Sequence, residues 1–397
     1  MNNPFLKAVP LLEKIESSGF EAYFVGGSVR DTLLGREITD VDIATSAHPY
    51  ELKAIFPKTA DIGIEHGTIM VFFEGEPYEI TTFRSETGYS DHRRPDKVNF
   101  IRSLREDLKR RDFTMNAMAM DRAGTIIDPF NGQQALSQKL IVTVGNPKER
   151  FGEDALRMLR GIRFVGQLGF TLEAGTLASL AELGPLLGKI ATERKTAEFE
   201  KILKGPFRSE ALTLLAKTGI SRYLPGLAGY ENSLLKLSRH TKASLSMEEI
   251  WVLLLRIIGK RDKDAEAFLR EWKLPSRTIK TLLKVLRWLE FRLEHKWDQA
   301  SIYQAGKEYA LAAENVYESL TENNGEQGSI ADIFEKLPIH NLTELAVSGG
   351  DLLAWSGKGP GPWVKDVLEK AEMQVIDGKL DNEKGKIREW LEHCNLI

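Results

Sequence analysis

The spacing of apolar residues changes once along this chain, and that change fixes its class of fold. Up to about residue 140, apolar side chains come in short runs of strand length, punctuated by Gly, Pro and Asp. After Asn146-Pro147 they recur at three- and four-residue spacing almost to the C-terminus, with few β-branched runs. The pattern predicts an α+β chain: a head built on a small mixed sheet, followed by a long all-α extension.

Within the head, the pattern predicts a helix over about 5–18 and a strand over Ala22–Val25. Gly26-Gly27 then turns the chain into a helix that starts near Ser28. Val41–Ala44 reads as a second strand. Thr68–Phe73 and Tyr78–Phe83 read as a hairpin around Glu74-Gly75-Glu76-Pro77. Ile126-Ile127 and Leu140–Val144 are further short strands. The long polar segment Arg84–Phe100 is expected to be a mobile loop over the site. In the helical part, Gly205-Pro206, Pro225-Gly226, Glu322–Gly328 and Gly357–Pro362 are the expected breaks.

Composition narrows the function classes. With 397 residues the chain has room for two to four domains at about 100–200 residues each. A single cysteine, Cys394, excludes both an intrachain disulfide and a cysteine-based zinc site. The N-terminal stretch carries Lys7, Glu13 and Lys14 and reads as an amphipathic helix, not a signal peptide. No apolar run approaches the roughly 18 residues of a membrane span, so a cytoplasmic protein with no membrane partner is expected. Net charge is −3, yet Arg93–Arg111 holds eight Lys/Arg against three Asp/Glu. Such a basic stretch can hold a polyanion on a mildly acidic protein, although alone it reads rather as a solvated charged face.

Two local patterns carry chemistry. In Asp40-Val41-Asp42, strand geometry would put both carboxylates on one face, about 6–7 Å apart at Cα. Like charges so placed need a cation between them. Magnesium suits, because it takes a few carboxylates together with water and substrate phosphates. In Gly26-Gly27-Ser28-Val29-Arg30-Asp31, glycines at a helix start let backbone amides approach a phosphate, and Arg30 can clamp its oxygens. Either pattern alone is common. The spacing fits neither a Walker loop nor G-x-G-x-x-G.

Together, a Gly-Gly turn opening a helix and then D-x-D on the next strand resemble the DNA polymerase β nucleotidyltransferase superfamily. A third carboxylate usually comes from a later strand there, and Glu79 is the best candidate. Arg110-Arg111-Asp112-Phe113-Thr114-Met115-Asn116-Ala117 resembles the R-R-D-x-x-x-N-A block of CCA-adding enzymes and bacterial poly(A) polymerases. Glu153-Asp154-Ala155-Leu156-Arg157-Met158-Leu159-Arg160-Gly161-Ile162-Arg163-Phe164 is similar to their E-D-x-L-R-x-L-R-x-x-R-F helix, and Glu193–Leu203 to the block that follows. Ser348–Leu368 looks like the tail of Firmicute-type CCA-adding enzymes. Only 206–325 matches weakly.

The resemblance implies a seahorse-like chain: nucleotidyltransferase head 1–140, helical neck 141–205, body 206–325 and tRNA-binding tail 326–397. It implies template-independent addition of CCA to the 3′ end of tRNA from CTP and ATP, with magnesium. Asp40 and Asp42 would be catalytic and bind the metal. Gly27, Arg30 and Arg111 would hold the nucleotide, and Asp112 and Asn116 would lie near its sugar. Asp154, Arg157, Arg160 and Arg163 would form the base-reading face of one helix. By periodicity alone, Ala155, Met158, Leu159, Ile162 and Val165 group on one side of that helix, and the three arginines form a wet basic face opposite.

Other activities give different expectations. A bacterial poly(A) polymerase carries a basic block after the carboxylate strand, where this chain has Asp61-Ile62-Gly63-Ile64-Glu65-His66-Gly67-Thr68. CC-only enzymes tend to lack the loop between head motifs, which is kept here, so full CCA or A-only addition is favoured. A non-enzymatic RNA-binding module has no use for paired carboxylates. No His-Asp dipeptide occurs, so an appended metal phosphohydrolase is not expected.

Overall fold

A computed structural model describes residues 4–38, 40–88, 97–240, 245–321 and 325–397. The chain forms two compact units, Met1–Thr241 and Lys242–Ile397.

The first unit is built on a seven-stranded sheet. Its strands are β1 (Ala22–Val25), β2 (Asp42–Thr45), β3 (Thr59–Gly63), β4 (Thr68–Phe73), β5 (Glu76–Thr82), β8 (Ala119–Met120) and β9 (Ile126–Ile127), in the order β3-β4-β5-β2-β1-β8-β9. All neighbours are antiparallel except β2 and β5, which run parallel with Ile43 opposite Ile80. The period of two puts alternate residues on opposite faces. Phe24 and Ile43 enter one core, with Ile69, Val71 and Ile80. Val25 and Ala44 enter another, with Phe83, Leu108 and Val144.

Helices close both faces. α1 (Pro4–Ser17) buries Phe5, Ala8, Leu11, Leu12 and Ile15, a stripe at helical spacing, in the first core. α2 (Gly27–Leu33) starts at the Gly26 turn, and α3 (Pro49–Ile55) has a His48–Glu51 capping box. α4 (Leu104–Lys109) and α5 (Gly132–Ser137) are short. α6 (Pro147–Glu153) ends where α7 (Leu156–Leu168) begins, and Phe164, Val165 and Leu168 carry α7 into the sheet core. α8 (Ala174–Leu183), α9 (Thr192–Lys204), α10 (Arg208–Lys217) and α11 (Glu231–Leu237) complete the unit.

Two expectations change here. The segment Arg84–Phe100 is not loop throughout. Its ends form an antiparallel hairpin, β6 (Arg84–Thr87) with β7 (Lys97–Phe100), pairing Arg84 with Phe100. Positions 89–96 lie outside the described residues. The helical part is also not purely α, since β10 (Leu140–Ile141) pairs in parallel with β11 (Thr171–Leu172).

The second unit is helical among its described residues. α12 (Met247–Ile257), α13 (Asp262–Glu271), α14 (Ser276–Glu294), α15 (Gln299–Ala305) and α16 (Lys307–Thr321) precede α17 (Gln327–Glu335), α18 (Gly349–Ser356), α19 (Trp363–Ile376) and α20 (Lys384–His393). Trp251 and Trp272 meet edge to face at 5.2 Å. A buried Arg292–Glu314 pair joins α14 to α16, and Trp297 Nε1 donates to the same carboxylate at 2.8 Å. Gly357 ends α18 in the left-handed region, at one of the expected breaks. None of the described helices is long and apolar enough to cross a membrane.

Candidate functional site

A cleft of about 770 Å³ in the first unit gathers most of the residues singled out from the sequence. Its floor is the Gly26 turn and the adjacent ends of β2 and β5. Gly26 has φ 73° and ψ −135°, a conformation open to glycine. A Cβ there would sit 3.2 Å from Asp42 Oδ2. Gly27 opens α2 and lines the cleft, but a Cβ on it would meet only ordinary contact, 3.6 Å from Arg30 Nη2. Gly26 is therefore the glycine that the geometry demands.

Asp42 is the first residue of β2, while Asp40 precedes the strand. The same-face argument for a D-x-D strand thus does not apply as stated, because only one of the two carboxylates is on the strand. Asp40 is still close enough to raise the Asp42 pKa. Burial raises that pKa most, Asp40 adds to it, and Arg111 opposes it. Glu79 lies beside Asp42 by the β2–β5 register, and its pKa is raised by burial and by Asp42. Asp40 thus acts on Asp42 and Asp42 on Glu79, so the carboxylates lie close enough to repel, and a cation relieves that repulsion. The donor set is carboxylate oxygen only, which suits a hard divalent ion. Among the described residues no three His, Cys, Asp or Glu are grouped to hold a metal ion by themselves. Water and phosphate oxygens would have to complete its shell.

The wall above is made of arginines in a relay of hydrogen bonds. Arg160 Nε donates to Asp112 Oδ2 at 2.7 Å, Asn116 Nδ2 to Asp112 Oδ1 at 3.2 Å, and Arg30 Nη1 to Asn116 Oδ1 at 2.7 Å. Burial alone would raise the Asp112 carboxyl. The Arg160 charge, with bonds from Asn116, Arg160 and the Phe113 amide, instead holds it down at about 2. Arg111 Nη1 donates to the Asn116 carbonyl at 3.3 Å, and its buried Nε has no hydrogen-bond partner among the described residues. The guanidinium groups of Arg30 and Arg163 lie over the Phe164 ring at 5.2 and 4.4 Å.

The expected wet face of α7 is not wet. Arg157 and Arg163 are buried, and of the three arginines only Arg160 keeps substantial exposure. Periodicity separates polar from apolar positions, but the polar side here faces an arginine-lined cleft with acidic partners. Arg163 Nε lies 3.2 Å from Glu198 on α9. Nor do Asp154 and Arg157 share a helix. Asp154 is the extended residue between α6 and α7, with φ −133°, and its Oδ1 accepts from the Leu156 amide at 3.0 Å. Arg157 sits in the first turn of α7, where Nη1 meets Glu153 at 2.6 Å and Nη2 the Arg110 carbonyl at 3.0 Å. Both side chains nevertheless line the cleft.

Several residues of the site were not singled out from the sequence. Arg194 binds Asp154, Glu153 binds Arg157, and Asp107 lies behind Arg110 and Arg111. Glu153 and Arg194 sit inside the blocks that carry the family resemblance, and Asp107 lies just before one. Glu153 and Asp107 stand three or four residues from their arginines, a spacing that could have marked them, whereas Arg194 comes from another helix and has no local pattern.

Known proteins similar to this chain fall in one family. Residues 22–142 match the Poly A polymerase head domain, 169–230 a probable RNA and SrmB-binding site of polymerase A, and 244–391 a putative tRNA nucleotidyltransferase domain 2. A CCA-adding enzyme of Geobacillus sp. is 50% identical, covering 100% of this chain and 99% of that protein. One of Bacillus cytotoxicus is 48% identical over 99% of each. The crystal structure of the Bacillus stearothermophilus CCA-adding enzyme in complex with CTP superposes with a TM-score of 0.91 at 45% identity, covering 100% of this chain and 98% of that one. With identity of this level running from end to end, the chain belongs to the bacterial CCA-adding enzyme family of tRNA nucleotidyltransferases.

Proposed function

We propose that this chain adds CCA to the 3′ end of tRNA in the cytoplasm, from CTP and ATP, releasing pyrophosphate. The observation that carries the site assignment is the meeting of carboxylates, phosphate-type arginines and an Asp–Arg pair in one cleft. In the reaction, the tRNA 3′-oxygen forms a bond to the α-phosphorus, and the bond from that phosphorus to the β-phosphate oxygen breaks. Asp40 and Asp42, with Glu79 beside them, would hold magnesium, which when bound acidifies the 3′-hydroxyl and neutralises charge on the phosphates.

The remaining work falls to the chain's own side chains. Arg111 and Arg30 project donors toward the triphosphate, and Gly27 brings backbone close to it. Asp112 and Asn116 fit the sugar hydroxyls. Asp154 and Arg157 read the base. An ionised carboxylate only accepts and a guanidinium only donates. Cytosine and adenine each offer an amine beside an accepting ring nitrogen, which satisfies both. Uracil and guanine offer a carbonyl beside an N–H, which leaves both unpaired. Arg160 and Arg163 extend that face. Outside the cleft, the helical domains, read as neck 141–205, body 206–325 and tail 326–397, would hold tRNA by Lys and Arg contacts to phosphate.

The test uses end-labelled tRNA that stops before the CCA end. CTP alone should extend it by two nucleotides, ATP alone by none, and both together by three. Extension stopping at CC with both nucleotides, addition of A only to a CC end, or an open-ended A ladder would each replace the reading with a different activity.

A further inference from the structure

Behind the arginine wall lies a carboxylate for which the transfer chemistry has no direct use. Asp107, on α4, is 1% exposed and does not line the cleft. Both of its oxygens are committed. Oδ1 accepts from Arg110 Nε at 3.0 Å, from Arg110 Nη2 at 2.8 Å and from the Arg84 backbone amide at 3.2 Å. Oδ2 accepts from Arg111 Nη2 at 3.3 Å. Arg110 Nη1 reaches across to Glu86 at 3.2 Å, and Glu86 also receives Arg84 Nε at 2.8 Å. Three of the bonds to Asp107 come from positions three and four residues onward, the helical spacing at which side chains meet. The fourth comes from the first residue of β6.

One buried group thus fixes two things at once: the guanidinium of Arg111, which faces the cleft, and the base of the β6–β7 hairpin. A free arginine loses rotamer freedom when it closes on a phosphate. An arginine already held in place loses less. A carboxylate serves here where an amide would not, because two cations share it and each needs an accepting oxygen.

We propose that Asp107 is a positioning residue for nucleotide binding: it holds Arg111 toward the triphosphate and, through Arg110 and Glu86, ties that arginine to the β6–β7 hairpin. The proposal rests on the reading of Arg111 as a phosphate ligand. It predicts a defect in nucleotide affinity common to CTP and ATP, because the triphosphate is what they share.

The experiment is steady-state nucleotide addition to truncated tRNA by the full-length enzyme carrying Asp107→Asn, Arg111→Lys, or both. Asp107→Asn should raise KM about tenfold for CTP and ATP alike, with kcat within about twofold and discrimination against UTP unchanged. Added to Arg111→Lys, it should raise KM less than twofold further, since both act through one guanidinium. Asp107→Glu, which keeps the charge but moves the oxygens, carries the same test should Asp107→Asn melt below the assay temperature. An unchanged KM, a fall in kcat alone, or factors that multiply in the double variant would overturn the proposal. A normal KM in Arg111→Lys would instead overturn the reading of Arg111, which separates the two failures.

Discussion

The guanidinium of Arg194 meets the carboxylate of Asp154 edge to edge, Nη2 to Oδ2 at 2.8 Å and Nη1 to Oδ1 at 3.4 Å. Its counterpart is Glu153, which holds Arg157 at 2.6 Å. Each of the two residues assigned to base reading is therefore gripped by an oppositely charged neighbour. A bidentate reading of a base contributes about 1–3 kcal/mol of discrimination. Asp154→Asn offers an amide that can donate or accept, and should lower the preference for CTP and ATP over UTP and GTP at least about tenfold. Arg194→Met should relax the preference less, by freeing the carboxylate without changing its chemistry. Incorporation of the four nucleotides by wild type and both variants checks this. An Asp154→Asn enzyme as selective as wild type would move base selection elsewhere.

Asp112 makes a pH-dependent contribution to stability. Its folded pKa, about 2, lies below the ordinary 3.8, so the folded state binds the proton less well than the unfolded chain. The contribution is complete above the unfolded pKa and is lost as pH falls from about 4 through about 2. A shift of this size corresponds to roughly 2 kcal/mol. Urea unfolding of Asp112→Asn should show a deficit of about that size at pH 7, shrinking toward pH 2–3. A deficit that stays constant across that range would exclude the linkage.

Affinity for tRNA should fall steeply with salt despite the net charge of −3. The basic stretch Arg93–Arg111 and the Lys and Arg side chains of the helical domains are read as its phosphate contacts, and each phosphate they neutralise releases counterions. The log–log slope should be about 0.7–0.9 per contact. A dissociation constant that does not change between 50 and 200 mM salt, roughly the span over which such contacts weaken, would contradict this.

Gly26→Ala and Gly27→Ala should behave differently. The first forces a side chain into a backbone region reserved for glycine, at a cost of about 1–3 kcal/mol, and presses on Asp42. It should lower both stability and transfer. The second places its methyl in ordinary contact and should leave stability within about 1 kcal/mol. Thermal melts and initial rates of the pair check the contrast.

Much of the head was legible because its signals are local. Ala22–Val25 and Thr68–Phe73 are strands at the expected residues, since alternation and flanking turns define them. The Gly-Gly turn and the basic face of α7 were legible for the same reason. What escaped depends on other elements. Asp40 falls off its strand because β2's pairing stops at Asp42 opposite Val25 of β1 and at Ile43 opposite Ile80 of β5. Asp154 falls outside α7 because its side chain accepts from the Leu156 amide, the first of that helix. Arg157 and Arg163 are buried because Glu153 and Glu198 neutralise them, and Glu198 comes from a different helix. The hairpin ends of 84–100 pair with each other across a polar stretch that carries no alternation.

Transfer is assigned to the carboxylates beside the Gly26 turn. Single-turnover addition of CMP to truncated tRNA by Asp42→Ala and Asp40→Ala tests it most directly, with circular dichroism and melting to verify the fold. The prediction is a folded protein in each case, with the rate of the chemical step reduced by several orders of magnitude and tRNA binding retained. A near-normal rate in either variant would contradict the claim and place the reaction elsewhere.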